Sequence, residues 1–174
     1  MGRDIVALDN VTVNNIGVLK KINEVVLPCK YPESWYNQCF TETNILVQLG
    51  YYAEIPVGAI KARVINNYQI KSSFEEEISN SNVLKKTPNC VYIESFAVLP
   101  NYRHYGIGSK LLEWLIEQTK KRFVHEIIIH VQTCNESALE WYTKKGFEKG
   151  ELVKDYYKNQ ELDSPDAFVM KLRV

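Results

Sequence analysis

The sequence predicts an α+β domain: a central mixed β-sheet with helices packed on both faces. Three observations carry this reading. Apolar periods of two and of 3.6 residues interleave along the chain, without the strict alternation of a parallel α/β fold. The segment VYIESFAV (91–98) is a clear strand, and residues 108–122 place Leu111, Leu112, Leu115 and Ile116 on one helical face. The segment EIIIHVQ (126–132) is apolar on both faces at its centre, as an interior strand should be. With 174 residues, 45% of them hydrophobic, the chain makes one domain, 1–174. A chain of that length buries roughly 70% of the surface it exposes when unfolded.

The remaining elements follow in order. IVAL (5–8) reads as a strand running into a turn at DNVT. Asn14 or Asn15 then caps a helix whose apolar positions are Ile16, Val18, Leu19, Ile22 and Val25 or Val26, and Pro28 ends it. LPCKYPESWY (27–36) holds two prolines and three aromatics with neither period. It is an aromatic loop, either a contact surface or a lid on the core. A second helix covers some or all of Trp35–Leu49, followed by strands near Tyr51–Glu54 and Val57–Val64 with Ile55 and Pro56 at their turn. Residues 66–90 are polar, charged and aperiodic, an insertion read as a long hairpin or a disordered loop. Along 91–98, Val91, Ile93 and Ser95 point one way and Tyr92, Glu94 and Phe96 the other. A short helix over Asn135–Lys145, capped by Asn135 or Ser137, stops at Gly146. Phe147–Val153 and Ala167–Val174 close the chain as strands, joined by a polar, tyrosine-bearing segment.

Charge and cysteine content narrow the function. Lys plus Arg and Asp plus Glu are both 21. That zero balance supplies no global field for gathering phosphate backbones and disfavours a general nucleic-acid binder. Cys29, Cys39, Cys90 and Cys134 are too far apart for a zinc knuckle or a thioredoxin motif. The first fifteen residues have no apolar signal core, and no apolar run approaches the ~18 residues of a membrane span. The expectation is a soluble cytoplasmic protein, possible also in the nucleus, with four reduced and mostly buried thiols.

The chemistry concentrates at NYRHYGIGSKLL. A strand ends at Val98, Pro100 breaks it, and Arg103 to Gly108 open the next helix. Gly106 and Gly108 remove Cβ atoms, so successive backbone N–H groups can face one concave spot. The helix N-terminus adds roughly half a positive charge and Arg103 a formal one, which suits a phosphate. The spacing is neither G-x-G-x-x-G nor the P-loop pattern.

This R-x-x-G-x-G loop lies between a strand and an amphipathic helix, with a second strand–helix pair bearing NESALEWYTKKGF behind it. The arrangement resembles the GNAT acetyltransferase superfamily over nearly the whole chain outside 66–90. The resemblance implies a sheet split open at its middle, with acetyl-CoA as co-substrate and no metal. It implies that Phe96, Ala97 and Val98 offer backbone groups to the pantetheine. Arg103, His104, Tyr105, Gly106, Ile107, Gly108 and Ser109 would form the pyrophosphate loop, with Asn135, Ser137, Ala138, Tyr142 and Lys144 on the cofactor's other side. Tyr142 stands where many members protonate the leaving thiolate. The segments LPCKY, VYIESFAVLPNYRHYGIG, IIIHVQTCNESALEWYTKKGFE and KDYYK are more closely similar to the NatE-type (San-type) N-terminal α-amine acetyltransferases. That likeness implies Tyr92 and His130 as a general-base pair linked through ordered water. It implies Leu27, Pro28, Cys29 and Tyr31 as the peptide-binding loop, and Tyr156 and Tyr157 as its closing pair. Its substrates would be N-termini that keep the initiator Met before a hydrophobic residue, on nascent or completed proteins, and its partners NatA subunits and the ribosome.

The chain departs from that pattern at Leu27, commonly Phe, at Cys29, commonly Val, and at Glu94, commonly apolar. Glu94 is thus expected to put an anion near the peptide, to disfavour an acidic second residue, and to offer a rival general base. Two other functions remain open on the residues: a GNAT enzyme acting on lysine side chains or a small amine, and an acyl-CoA-binding scaffold without turnover.

Overall fold

The structure, a computed structural model, describes residues 5–66, 87–157 and 165–174. The described strands are β1 (Val6–Asn10), β2 (Ile45–Tyr52), β3 (Ile55–Ile65), β4 (Cys90–Val98), β5 (Glu126–Gln132), β6 (Glu148–Val153) and β7 (Ala167–Arg173). They form one sheet in the order β1-β2-β3-β4-β5-β7-β6. The described helices are α1 (Ile16–Val26), α2 (Glu33–Thr41), α3 (Ile107–Lys121) and α4 (Glu136–Lys144). Leu19 and Ile22 of α1 and Trp35 and Tyr36 of α2 bury Leu49, Ala59 and Ala97 on one face of the sheet. Ile107, Leu111 and Leu115 of α3, with Tyr142 of α4, cover Ile60, Val91, Ile93, Ile129 and Met170 on the other. Helices on both faces of a mixed sheet are thus what the molecule has.

The sheet is antiparallel except where β4 meets β5. That parallel pair keeps register only at Val91–Ile127, Tyr92–Ile128 and Ile93–Ile129. Beyond it, β4 continues along β3 while β5 continues along β7. The cause lies at Glu94. Lys61 stands opposite Ser95 and Ala62 opposite Ile93, so Glu94 is the extra residue of a β-bulge. A bulge bends its strand and sharpens the local twist. β4 therefore leaves β5, and a gap opens at the centre of the sheet.

The bulge also corrects the simple alternation expected along 91–98. Past Glu94, Phe96 joins the face of Val91 and Ile93, against Tyr142. Ser95 pairs with Lys61, and Ala97 packs with Leu19 and Trp35 on the opposite face. One extra residue exchanges the two sets of side chains.

Three other readings change. The helix expected across Trp35–Leu49 is shorter, Glu33–Thr41, and β2 begins at Ile45. ILVQLGYY fits either period in isolation; hydrogen bonding to both β1 and β3 decides for strand. Asn15 precedes α1 without capping it: its Oδ1 accepts from Thr12 N at 2.6 Å and its Nδ2 donates to Asn10 O at 2.9 Å. Of the four thiols only Cys90 is buried; Cys29 and Cys39 are half-buried and Cys134 is exposed. Of the 66–90 insertion, residues 67–86 lie outside the described residues, as do 158–164 of the last connection. Among the described residues no helix is long and apolar enough to cross a membrane.

Candidate active site

Where β4 and β5 part, a cavity of about 380 Å³ opens. Its walls come from four places. The segment after α1 supplies Leu27, Pro28, Cys29 and Tyr31, and the parted strands supply Tyr92 to Phe96 and Ile129 to Gln132. The helix α4 and its N-cap supply Asn135, Ala138 and Tyr142, and the segment after β6 supplies Tyr156 and Tyr157. Residues as far apart in sequence as 27 and 157 are thus brought to one place. Tyr142 is buried, its ring edge-on to Phe96, Trp141 and Phe147.

Tyr92 and His130 meet across the split: Tyr92 lies one residue before the last paired position of β4, and His130 one residue past that of β5. The Tyr92 Oη lies 2.8 Å from His130 Nδ1, a direct bond where the resemblance implied a link through water. The Tyr156 hydroxyl also bonds to Tyr92 Oη, and its ring stacks on the imidazole at 4.1 Å between centroids. Burial pushes the His130 imidazole down to about 4. Burial, helped by the neighbouring Tyr156, holds the Tyr92 phenol well above its usual range, and burial raises Tyr156 as well. All three groups are therefore neutral at neutral pH. A neutral imidazole at the end of a buried hydroxyl chain can take a proton passed along that chain.

Glu94 is not the open carboxylate that the sequence suggested. Its Oε1 accepts from Arg63 Nε at 3.0 Å and from Lys61 Nζ at 3.3 Å, and its Oε2 accepts from Trp35 Nε1 at 2.6 Å. Lys61 is fully buried and lies 3.9 Å from the Trp35 ring centroid. Arg63 also pairs with Glu42, so two cations face two carboxylates. Three donors occupy the Glu94 oxygens and the cluster is neutral in sum. The rival-base reading and the expected repulsion of an acidic second residue both lose their physical basis.

The loop into α3 runs from the end of β4 to Gly106. After a 3₁₀ turn at Pro100–Tyr102, Arg103 stands exposed and its Nε donates to the Val98 carbonyl at 3.1 Å. His104 (φ 70°) and Gly106 (φ 86°) are both left-handed, and Gly106 is the N-cap of α3. No side chain caps that helix, so its first N–H groups are left for an outside acceptor. Around Gly106 an added Cβ would meet nothing within 4 Å. At Gly108 it would lie 3.3 Å from Trp141 and 3.6 Å from Phe96, so the glycine lets the helix start close against that aromatic pair. Ile107 is buried, and exposed Tyr105 rests against Tyr52 with ring centroids 4.9 Å apart.

On the α4 side, Asn135 caps the helix: its Oδ1 accepts from Ala138 N and from Ser137 Oγ, both at 3.2 Å. Lys144, expected beside the cofactor, pairs with Glu140 on the exposed helix surface. Its neighbour Lys145 reaches across, donating from Nζ to Ser109 Oγ at 2.6 Å. The sequence reading missed Lys145, and likewise Trp35, Lys61 and Arg63. For the lysine, the stop at Gly146 was the available signal, since the last residue of a helix can turn back toward a neighbouring element. For the other three no local pattern gives the pairing.

The chain is similar to known proteins in sequence and in fold. The sequence profile of the acetyltransferase (GNAT) family matches residues 19–147. The chain is 33% identical to N-alpha-acetyltransferase 50 of Danio rerio, over 95% of this chain and 87% of that protein. It is 32% identical to the probable N-acetyltransferase san of Drosophila melanogaster, over 98% and 82%. The solved structure of Arabidopsis thaliana Naa50 in complex with the bisubstrate analogue CoA-Ac-MVNAL superposes with a TM-score of 0.76 at 33% identity, covering 97% of this chain and 99% of that one.

Proposed function

Because the chain belongs to the acetyltransferase (GNAT) family, we propose that it transfers the acetyl group of acetyl-CoA to the α-amine of proteins that begin with Met followed by an apolar residue. The observation that carries this reading is the direct Tyr92–His130 bond inside a cavity walled by Leu27, Pro28, Tyr31, Tyr156 and Tyr157. Proton-accepting machinery thus stands beside an apolar, aromatic receptacle. The Met-Val start of the peptide analogue bound by the Arabidopsis relative supports the same substrate class.

The residues present fit acetyl-CoA. The uncapped start of α3, with left-handed Gly106 and no Cβ at Gly108, offers N–H groups to a pyrophosphate, and Arg103 adds charge at the rim. The sheet gap leaves backbone groups of β4 beyond Glu94 without a β5 partner, for the pantetheine amides. When bound, acetyl-CoA supplies an activated thioester. Tyr92 and His130 then accept the proton that the attacking amine releases. Tyr92 Oη donates to His130 Nδ1, and its remaining lone pairs take hydrogen bonds from Tyr156 and from the amine. Tyr142, buried beside the cleft, is the group to protonate the departing sulfur.

The magnitudes favour an N-terminus over a lysine. An α-ammonium of pKa about 7.7–8.0 is already partly neutral near pH 7. A lysine near 10.4 costs roughly 2.5 units more to deprotonate, about 3 kcal/mol. A site whose imidazole sits near 4 does not offset that difference.

Initial rates over peptides beginning Met-Leu, Met-Val, Met-Lys, Met-Glu and Ser-Leu test the specificity. Met-Leu and Met-Val are expected to exceed Ser-Leu by about ten- to a hundredfold, the worth of a few buried methylenes. Because the Glu94 charge is neutralised, the shortfall of Met-Glu should not change with salt. A rate for Ser-Leu equal to that for Met-Leu would remove the Met pocket from the account.

A further inference from the structure

A part-buried charge cluster centred on Lys61 invites a role. Lys61, Arg63 and Glu94 on the sheet meet Trp35 and Gln38 on α2 and Glu42 at its C-cap. Lys61 is completely buried, and a buried ammonium is tolerated only when it is paired and hydrogen-bonded. Packing alone would be met more cheaply by apolar residues of similar volume. The cluster does something an apolar patch could not: it fixes one indole by a directional bond. Trp35 Nε1 donates to Glu94 Oε2, and the indole stacks on Tyr31 at 4.0 Å and 16° between ring planes. The Tyr31 hydroxyl in turn donates to the Glu94 carbonyl at 3.0 Å.

We propose that Glu94 is a positioning residue for the peptide wall, holding Tyr31 in place through Trp35 and through its own carbonyl. This rests on the α-amine acetyltransferase reading. The contacts close on themselves: carboxylate to indole, indole to phenol ring, phenol hydroxyl to the carbonyl of the same glutamate. The anchor is the bulge residue of β4, two positions from Tyr92 and at the point where the sheet opens. One irregularity of the backbone thus sets both the gap and the distance from the peptide wall to the Tyr92 hydroxyl. Lys61 and Arg63 hold the carboxylate by its Oε1 and leave Oε2 to Trp35, so their contribution passes through Glu94.

Steady-state kinetics on a Met-Leu peptide separate positioning from chemistry. Trp35→Phe keeps an aromatic ring against Tyr31 and every charge, and removes the N–H donor together with part of the indole's volume, so its melting temperature is followed beside the rate. Glu94→Gln keeps the shape and removes the charge. Each is expected to raise the peptide KM about tenfold, with kcat and the KM for acetyl-CoA within about twofold of the parent. Because both act on one chain of contacts, the double variant should be no worse than the more affected single variant. If Glu94→Gln fails to fold with two cations left unbalanced, Trp35→Phe decides alone. An unchanged peptide KM in Trp35→Phe overturns the proposal, as does a kcat loss in Glu94→Gln with KM intact, or additive losses of about a hundredfold in the double variant. Parent protein that leaves the Met-Leu α-amine unmodified would overturn the α-amine reading itself and this proposal with it.

Discussion

Tyr92→Phe is expected to lower kcat by about 10²- to 10⁴-fold, the range that positioned acid–base assistance supplies, while acetyl-CoA affinity survives. The hydroxyl is the hub of the cluster, bonded to both His130 Nδ1 and the Tyr156 hydroxyl. Its removal leaves the buried His130 Nδ1 without this bond, at a cost of roughly 1–3 kcal/mol, so the melting temperature must be followed alongside the rate. His130→Ala should fall in the same kcat range. The pH profile of kcat/KM gives an independent reading. His130 sits near 4 and its phenol partners are raised by burial, so none of them changes charge between about pH 5 and 9. The rate should climb with the neutral fraction of the peptide amine and level off above about pH 8. An inflection near 6.5 would mean that the imidazole titrates as if in water. A mild His130→Ala beside a crippled Glu94→Gln would move the proton path to Glu94.

The glycine loop carries the second large effect. Gly106→Ala must adopt φ 86° with a Cβ, a strain of about 1–2 kcal/mol, or relax and turn the first N–H groups of α3 away from their common target. Gly108→Val would drive branched carbons toward Trp141 and Phe96, already 3.3 Å and 3.6 Å from an ideal Cβ. Calorimetric titration of acetyl-CoA should show at least a tenfold weaker Kd in each variant, or about 1.4 kcal/mol. Unchanged affinity in Gly108→Val would remove this loop as the pyrophosphate site.

How far the sequence carried can be judged at particular residues. β5 and α3 were readable within a residue because their apolar periods are long and unbroken, and the loop between β4 and α3 because its glycines are punctuation. The Tyr92–His130 meeting needed the resemblance, since two residues 38 apart acquire neighbours only through a parallel strand pair. The bulge at Glu94 left no local mark: an extra residue is defined by what stands opposite it on β3. What the side chains do at the bulge was invisible for the same reason: Ser95 and Phe96 exchange faces, and the Glu94 carboxylate turns to Lys61, Arg63 and Trp35. The opening of the sheet itself was implied by the resemblance. ILVQLGYY failed as a strand signal because Ile45, Leu46 and Leu49 fit a helix face as well, and only pairing with β1 and β3 separates the two. Lys144 and Lys145 are equivalent in sequence; the end of α4 sends one to Glu140 and the other to Ser109.

The central claim is that this chain acetylates α-amines through the Tyr92–His130 pair. It is tested most directly by locating the acetyl group on a peptide that begins Met-Leu and carries one internal lysine. Tandem mass spectrometry after incubation with acetyl-CoA should find the label on the N-terminal nitrogen in large excess, with almost none on the lysine. Blocking the N-terminus beforehand should abolish turnover, and Tyr92→Phe should suppress it on the free peptide. Equal labelling of the blocked and free peptides, at the lysine, would contradict the account.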